Sequence, residues 1–530
     1  MGEHDTPRSY DLAILGGGAA AFAAITEADR RGLSTAMVNT GLPLGGTCVN
    51  VGCVPSKHLL EVGKTAHEPP NNPFGAVDYD DDQPATDWGT AIDEKDEIVA
   101  ALREQNYVDV ADHFGTDIYE GYGRFVDGGR RSPSGSRTQS GDEAEQSSTG
   151  SRTQSGDDAT IEVVDGADAG TTIVGEKALV ATGSSPRIAP IDGLDSVDYE
   201  TSESILDRRD LPESIVMIGA GYVAMEWGQI LHHMGTDVTI LQRSSNVLSG
   251  MESQLGRELQ RCFEADGITV QTDVDVRRVS KDDETGDDVT VETTVAGDPQ
   301  TFTAADLFVA TGVTPNTDDI GLDAIRVETD GSGAVVVDDE FRTGNTDVYA
   351  AGDCIGEPML ETVAAKEGNH TVRNAFDSTE RRTAGRASGR TPREDDGGAT
   401  VDYHAVPKVV FTSPEVAAVG TTELEYRDDH GTCTCRTVAM HDVPKAKAVE
   451  DTRGSVQVVT HHETDEIVGV HMVGPRAADM IPEATLAVKF DLTVDDIIDT
   501  IHPFPTFSEA FKHACQAFRR DTSTMSCCVE

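Results

Sequence analysis

Residues Tyr10–Ile25 read YDLAILGGGAAAFAAI. A short apolar run, a glycine cluster and an alanine-rich run follow one another, which predicts a strand, a tight turn and a helix. Gly16, Gly18 and Ala21 fall in G-x-G-x-x-A spacing directly after the strand. Small residues there let the backbone approach a pyrophosphate, which then sits on a helix N-terminus. The next strand ends AMVNTG and puts Asn39 where an acid usually holds the ribose. An asparagine can still hydrogen-bond a ribose hydroxyl.

The same unit recurs at Ser214–Leu241, SIVMIGAGYVAMEWGQILHHMGTDVTIL, with Gly219, Gly221 and Ala224 in the fingerprint positions. Its second strand runs into Gln242 and Arg243 rather than an acid. A carboxylate would repel the extra phosphate of NADP and a guanidinium suits it, so this module is read as an NADPH site with Arg243 on the phosphate. EKALVATG (Glu176–Gly183), ADLFVATG (Ala305–Gly312) and DVYAAGD (Asp347–Asp353) read as strands; the first returns to the first sheet and the second repeats its ATG ending.

Two cysteine pairs stand at opposite ends of the chain. Cys48 and Cys53 lie in GGTCVNVGCVPSK, soon after the first glycine turn, and Cys527 and Cys528 are adjacent in the terminal MSCCVE. Four residues separate Cys48 from Cys53, and on one helical turn both sulfurs would share a face. A thiolate at a helix N-terminus is stabilised by the dipole and its pKa falls below about 8.5. Of the remaining cysteines, Cys433 and Cys435 form a C-x-C that could bind a metal, and Cys262, Cys354 and Cys515 are expected to be structural.

Composition narrows the setting. The 530 residues imply several domains, and the formal net charge is −52 with acidic residues spread along the whole chain. Such a surface repels itself across a Debye length of roughly 10 Å at 0.1 M salt and about 3 Å at 1 M. A protein built for molar salt is the expected reading. The charge argues against nucleic-acid partners and anionic membranes. No run of about 20 apolar residues and no signal peptide is present, so a reducing cytosol is expected, in which the cysteine pairs are catalytic. Residues 126–160, which carry GSRTQSGD twice, and residues 378–400 are low-complexity and are expected to be surface insertions without a fold of their own.

Taken in order, the two fingerprints, the Cys motif, both ATG segments, the AAGD segment and the C-terminal region make the whole chain similar to the FAD-dependent pyridine nucleotide–disulfide oxidoreductases. The resemblance implies an α/β fold: two Rossmann-like domains, for FAD and NADPH, and an α+β dimerisation domain. It divides the chain into residues 1–198 and 313–400 for the FAD-binding and central domain, 199–312 for NADPH and 401–530 for the dimerisation domain with its Cys-Cys tail. Gly16, Gly18, Ala21, Asn39, Gly46, Thr47, Thr182, Gly183 and Asp353 would line the FAD site. Gly219, Gly221, Ala224, Arg243 and Gly312 would line the nucleotide site, with Tyr222 gating the nicotinamide pocket. Lys57 would pair with Glu226 beside the flavin. Cys48 would be the exchanging thiol, and Cys53 the thiolate in contact with the flavin.

The C-terminal segment chooses among members of the family. Disulfide reductases carry a histidine in HPTxSE, five residues before the glutamate, which protonates the leaving thiol. Here the segment is HPFPTFSE, and five residues before Glu509 stands Phe504, with His502 two residues out of register. The pattern resembles the mercuric reductase branch, which has a tyrosine at this place and a terminal cysteine pair. The segment DYETSES supplies Tyr199 where a second tyrosine of that branch lies. The implied reaction is reduction of Hg(II) by NADPH through FAD and the redox-active pair Cys48 and Cys53. Cys527 and Cys528 from the partner subunit of a homodimer would collect the ion from small thiols, so Cys48, Cys53, Cys527 and Cys528 would be the metal ligands. A fused N-terminal metal-carrier domain is not expected. A high-molecular-weight thioredoxin reductase, a lipoamide dehydrogenase and a metal- or redox-sensing flavoprotein are the alternatives.

Overall fold

The structure is a computed structural model that describes residues 7–68, 72–74, 76, 86–127, 159–281, 288–377 and 398–520. Most of the two low-complexity stretches, and both Cys527 and Cys528, lie outside the described residues. The chain forms two compact units, Met1–Asn50 with Ala101–Ser185 and Thr314–Val401, and Val51–Ala100 with Pro186–Val313 and Asp402–Glu530.

In the first unit the opening strand, Arg8–Leu15, pairs in parallel with Thr35–Asn39 on one side and Thr172–Val180 on the other. Val348–Ala350 also pairs in parallel with Thr172–Val180, as does Asp117–Glu120 with Thr35–Asn39. Gly123–Val126 and Ala159–Val163 extend the sheet as an antiparallel pair, so residues 127–158 connect two neighbouring strands. Alternation along the first strand explains why both sheet faces are covered. Leu12 and Ile14 pack with Ala21, Ala24 and Ile25 of the helix Ala19–Asp29. Ala13 and Leu15 face the opposite layer, with Phe125 and Ile161. The predicted strand, turn and helix at Tyr10–Ile25 are therefore present.

In the second unit a four-stranded parallel sheet runs in the order Thr269–Gln271, Asp237–Leu241, Ser214–Ile218, Asp306–Val309. A three-stranded antiparallel meander, Val274–Lys281, Val289–Val295 and Asp298–Ala304, adjoins it in sequence. The C-terminal region has a five-stranded antiparallel sheet in the order Lys408–Val410, Glu415–Gly420, Ile467–Gly474, Ser455–Thr460, Thr434–Ala439. Its core joins Val456, Val458, Val470 and Met472 to Ile481, Ala484 and Phe511 of the helices Ala477–Lys489 and Glu509–Gln516. The α/β architecture with an α+β C-terminal domain is as the motifs predict.

Two packing relations link distant segments within the second unit. The helix Cys53–His67 packs with the second nucleotide module: Leu59 and Leu60 share a core with Met225, Trp227 and Ile230. Gly63 lets the two helices approach closely, since a Cβ there would lie only 3.2 Å from the His233 Cβ. Val410, Val416 and Val473 of the C-terminal sheet join this same core. Leu59, Leu60, Trp88 and Ile92, and these three valines of the C-terminal sheet, are thus buried against the middle of the chain. Among the described residues, no helix is long and apolar enough to cross a membrane.

Candidate active site

Both glycine turns are built alike. Gly16 has φ +114° and a Cβ on it would lie 2.1 Å from the Ala181 carbonyl oxygen; Gly219 has φ +111° and would meet the Ala310 oxygen at 2.2 Å. Each turn therefore needs a residue without a side chain, both for its backbone angle and for contact with the neighbouring strand. Gly18 and Gly221 then cap the helices Ala19–Asp29 and Tyr222–His233, and Ala21 and Ala224 are fully buried behind them. Open backbone N–H groups at two helix N-termini are what a pyrophosphate requires.

In the first unit, Gly46 approaches this turn so closely that a Cβ on it would lie 2.8 Å from the Gly18 Cα. Thr182 Oγ1 is buried and has no hydrogen-bond partner among the described residues. Asp353, half-buried, accepts a 2.6 Å bond from Ser184 Oγ, and loss of solvation raises its pKa. A side-chain-free cradle, an orphaned hydroxyl and a poorly solvated carboxylate together fit the diphosphate and polyol of FAD. Asn39 packs against the same turn. Its amide donates to the Leu42 carbonyl at 2.9 Å, while its Oδ1 would lie 2.6 Å from a Cβ on Gly17. It therefore shapes the turn from behind. Thr47 is exposed and Gly183 half-buried.

Cys48 and Cys53 do not share one helical turn. Cys48 is half-buried in the short helix Gly46–Asn50, the chain bends at Val51–Gly52, and the exposed Cys53 opens the next helix, Cys53–His67. The break follows from Gly52, whose φ −115° and ψ −112° are not helical. Cys53 thus gains the positive end of a fifteen-residue helix, and Cys48 gains a separate loop. Sequence reasoning passed over the residue that holds this loop. The Asn50 amide lies 2.8 to 3.2 Å from the carbonyl oxygens of Pro43, Leu44 and Gly46, and Arg103 donates to its Oδ1 at 3.2 Å. A polar residue between the two cysteines was the available signal.

In the second unit, Lys57 Nζ donates to Glu226 Oε2 at 2.6 Å, and the second carboxylate oxygen accepts the Phe411 N–H at 2.9 Å. The ammonium also stands 4.9 Å from the Phe411 ring centroid. Glu226 is buried and Lys57 is one-third exposed, so the cation is held firmly with one side open to solvent. Phe411 is a second residue that the motifs did not flag.

Tyr222 is the exposed first residue of its helix. Of the two residues ending the second strand, only Arg243 faces solvent. Gln242 is buried, and its amide donates to the Asn246 carbonyl at 3.2 Å, shaping the loop instead of offering itself to a ligand. Gly312 has φ +106° and is exposed beside Arg187, whose guanidinium is anchored on the Thr311 carbonyl. Tyr199 is half-buried against the cluster of Leu194, Val216 and Leu307.

In the C-terminal domain Phe504 is about half exposed. His502 Nε2 lies 2.8 Å from Glu483 Oε1 and its Nδ1 lies 3.0 Å from the Thr500 carbonyl oxygen, with only 5% of the side chain exposed. The bond to Glu483 raises the His502 pKa above its ordinary value. Glu509 is buried; desolvation raises its pKa against the Thr506 N–H that it accepts.

The chain is similar to known proteins over most of their length. Mercuric reductases of Streptomyces lividans and Lysinibacillus sphaericus are 36% and 33% identical over 521 residues, 98% of this chain and 98% and 85% of theirs. The mitochondrial dihydrolipoyl dehydrogenase of Pisum sativum is 30% identical, over 96% of this chain and 91% of its own. Among solved structures, the Cu(II) complex of the HOCl-induced flavoprotein disulfide reductase RclA from Escherichia coli superposes with a TM-score of 0.77 at 21% identity, covering 97% of this chain and 100% of that one. The pyridine nucleotide-disulphide oxidoreductase family matches residues 10–368, and its dimerisation domain matches residues 406–515. The chain therefore belongs to the pyridine nucleotide-disulphide oxidoreductases, enzymes that bind FAD and use NAD(P)H.

Proposed function

We propose that this enzyme reduces Hg(II) to Hg(0) with electrons from NADPH. The observation that carries the reading is position 504. A disulfide reductase must protonate a leaving thiolate, a step worth about 10² to 10⁴ in rate. Phe504 has no proton to give. His502 has one ring nitrogen on Glu483 and the other on the Thr500 carbonyl, so neither is left for a substrate sulfur. A cation held by thiolates needs no such proton.

The net reaction is NADPH plus Hg(II) giving NADP⁺, a proton and Hg(0), which balances two electrons. FAD, when bound, supplies the two-electron relay between the nicotinamide and the dithiol. Gly219, Gly221 and Ala224 seat the NADPH pyrophosphate, and Arg243 binds the extra phosphate. Tyr222 covers the nicotinamide pocket until the nucleotide enters. Lys57, oriented by Glu226, places a positive charge at the reactive edge. Cys53 is stabilised as thiolate by its helix, and Cys48, on its separate loop, exchanges ligands with the incoming ion. Soft thiolates suit soft cations, and two of them match the linear preference of Hg(II). Cys527 and Cys528 of a homodimer's other subunit take the ion from small thiols and pass it to this pair, with Tyr199 contributing to the same site. The setting is a cytosol at high salt.

Full-length similarity to the pea dihydrolipoyl dehydrogenase favours a second reading, in which the substrate is a disulfide such as lipoamide. NADPH consumption separates the two. With excess thiol present, oxidation should depend on added HgCl2 and release volatile mercury, while lipoamide, glutathione disulfide and thioredoxin turn over poorly. Rapid turnover of any of these disulfides without a response to HgCl2 would replace the first reading with the second.

A further inference from the structure

Cys433, Cys435 and Glu423 belong to the C-terminal domain and have no part in the electron path above. Cys433 precedes the strand Thr434–Ala439, at the edge of the five-stranded sheet, and Cys435 lies in it. Their spacing of two puts both side chains on one face. Glu423 is the first residue of the helix Glu423–His430, whose start is fixed by a capping box between Thr422 and Glu425. The two sulfurs and a Glu423 carboxylate oxygen all lie within 4.8 Å of one another.

A neighbouring residue orients the carboxylate. Gln457, 3% exposed on the adjacent strand Ser455–Thr460, donates its amide N–H to Glu423 Oε2 at 3.0 Å. Its own Oε1 is buried without a hydrogen-bond partner among the described residues. A second group that holds a ligand in place is a recurring element of metal sites. The Glu252 carboxylate accepts the Glu423 N–H at 3.0 Å and adds negative charge, and Arg427 is the cation that acts on Cys433. Burial and the neighbouring carboxylates keep Cys433 and Cys435 as thiols until a metal displaces their protons, and with both deprotonated the two sulfurs and two carboxylates outweigh that one guanidinium. The other comparable group, His67, His233 and Asp266, lies under the field of Arg453, which opposes a cation.

We infer that Cys433, Cys435 and Glu423 bind a thiophilic divalent cation of the Zn(II), Cd(II) and Hg(II) class. Sulfur ligands select such ions over Mg(II) or Ca(II). Metal–sulfur bonds of about 2.3 Å in a tetrahedral site put ligand atoms roughly 3.8 Å apart, within the observed spread. All three residues are half-buried, so a hydrated ion can enter and water can complete its coordination.

Cadmium alone is the probe. The FAD-loaded enzyme is incubated with and without CdCl2, pulsed with iodoacetamide, and the alkylated peptides are quantified by mass spectrometry. This reads Cys433 and Cys435 separately from the other cysteines. Cadmium should slow their alkylation at least about tenfold, and Glu423→Gln should need about tenfold more CdCl2 for equal protection, roughly 1.4 kcal/mol of lost affinity. Flavin absorbance and flavin reduction by NADPH should be unchanged in Glu423→Gln, which shows that the variant is folded. Alkylation that is indifferent to CdCl2 would overturn the site. So would protection that survives Glu423→Gln unchanged, or a Cys433–Cys435 disulfide in the purified enzyme. None of these readouts depends on mercury turnover.

Discussion

Lys57 Nζ and Glu226 Oε2 meet at 2.6 Å across 169 residues of sequence, and the other oxygen of the same carboxylate holds the Phe411 N–H. One buried acid thus ties the helix that begins at Cys53 to the second nucleotide module and to the C-terminal sheet. Glu226→Gln keeps a group that can accept from Phe411 but loses the charge that orients Lys57. Flavin reduction by NADPH should slow more than tenfold, while the unfolding free energy measured in urea falls only modestly, by about 1 kcal/mol, because Lys57 is one-third exposed. Equal flavin reduction in stopped flow would remove Lys57 from the reactive edge.

Asp353 should decide whether flavin is retained. Its carboxylate is held against Ser184 with its solvation reduced, ready to accept from a ligand hydroxyl. Asp353→Ala should weaken FAD binding by about 10- to 100-fold, as loss of one charged hydrogen bond does. The variant should lose yellow colour on gel filtration and regain it in excess FAD. Full retention of flavin would place the ribityl contact elsewhere.

His502 should act on stability and not on turnover. Glu483 raises its pKa, so the ion pair contributes fully below the unfolded value near 6.5 and is lost as pH rises through the higher folded value. Urea midpoints of wild type and His502→Gln should therefore differ at pH 6 and converge at pH 9. Phe504→His should raise lipoamide or glutathione disulfide turnover without helping mercury reduction. If His502→Gln instead abolished an existing disulfide reductase activity, His502 would be the base.

The terminal pair should serve capture alone. Cys527→Ala with Cys528→Ala should slow reduction of thiol-bound Hg(II) at least tenfold and leave flavin reduction by NADPH unchanged. Equal losses in both half-reactions, measured by rapid mixing, would show that the pair has another role.

Folding should require salt. A net charge of −52 must be screened, and screening at about 3 Å, reached near 1 M, removes most repulsion between surface carboxylates. Circular dichroism across a KCl series should show unfolding as salt is withdrawn. A signal that stays flat down to ~0.1 M would contradict this.

The sequence by itself determined the two Rossmann-like modules and their glycine turns. Gly16 and Gly219 are legible because they are local: positive φ and a close neighbouring strand demand glycine wherever the turn occurs. Periodicity likewise announced the strands that flank them. The tertiary structure alone decided which distant groups those motifs would meet. Asn50 looks like any polar residue until three carbonyls converge on its amide, and Phe411 until its N–H finds Glu226. Gln242 and Arg243 are neighbours in sequence, yet one is buried in its loop and the other faces solvent. The spacing of Cys48 and Cys53 suggested one helical turn, but Gly52 breaks the helix between them. The physical reason is common to the first three cases, whereas the break at Gly52 is a local signal that the spacing of the cysteines hid. Backbone angles and hydrophobic periodicity are properties of a few consecutive residues, whereas burial and hydrogen-bond partners are set by segments that meet only after the chain has folded.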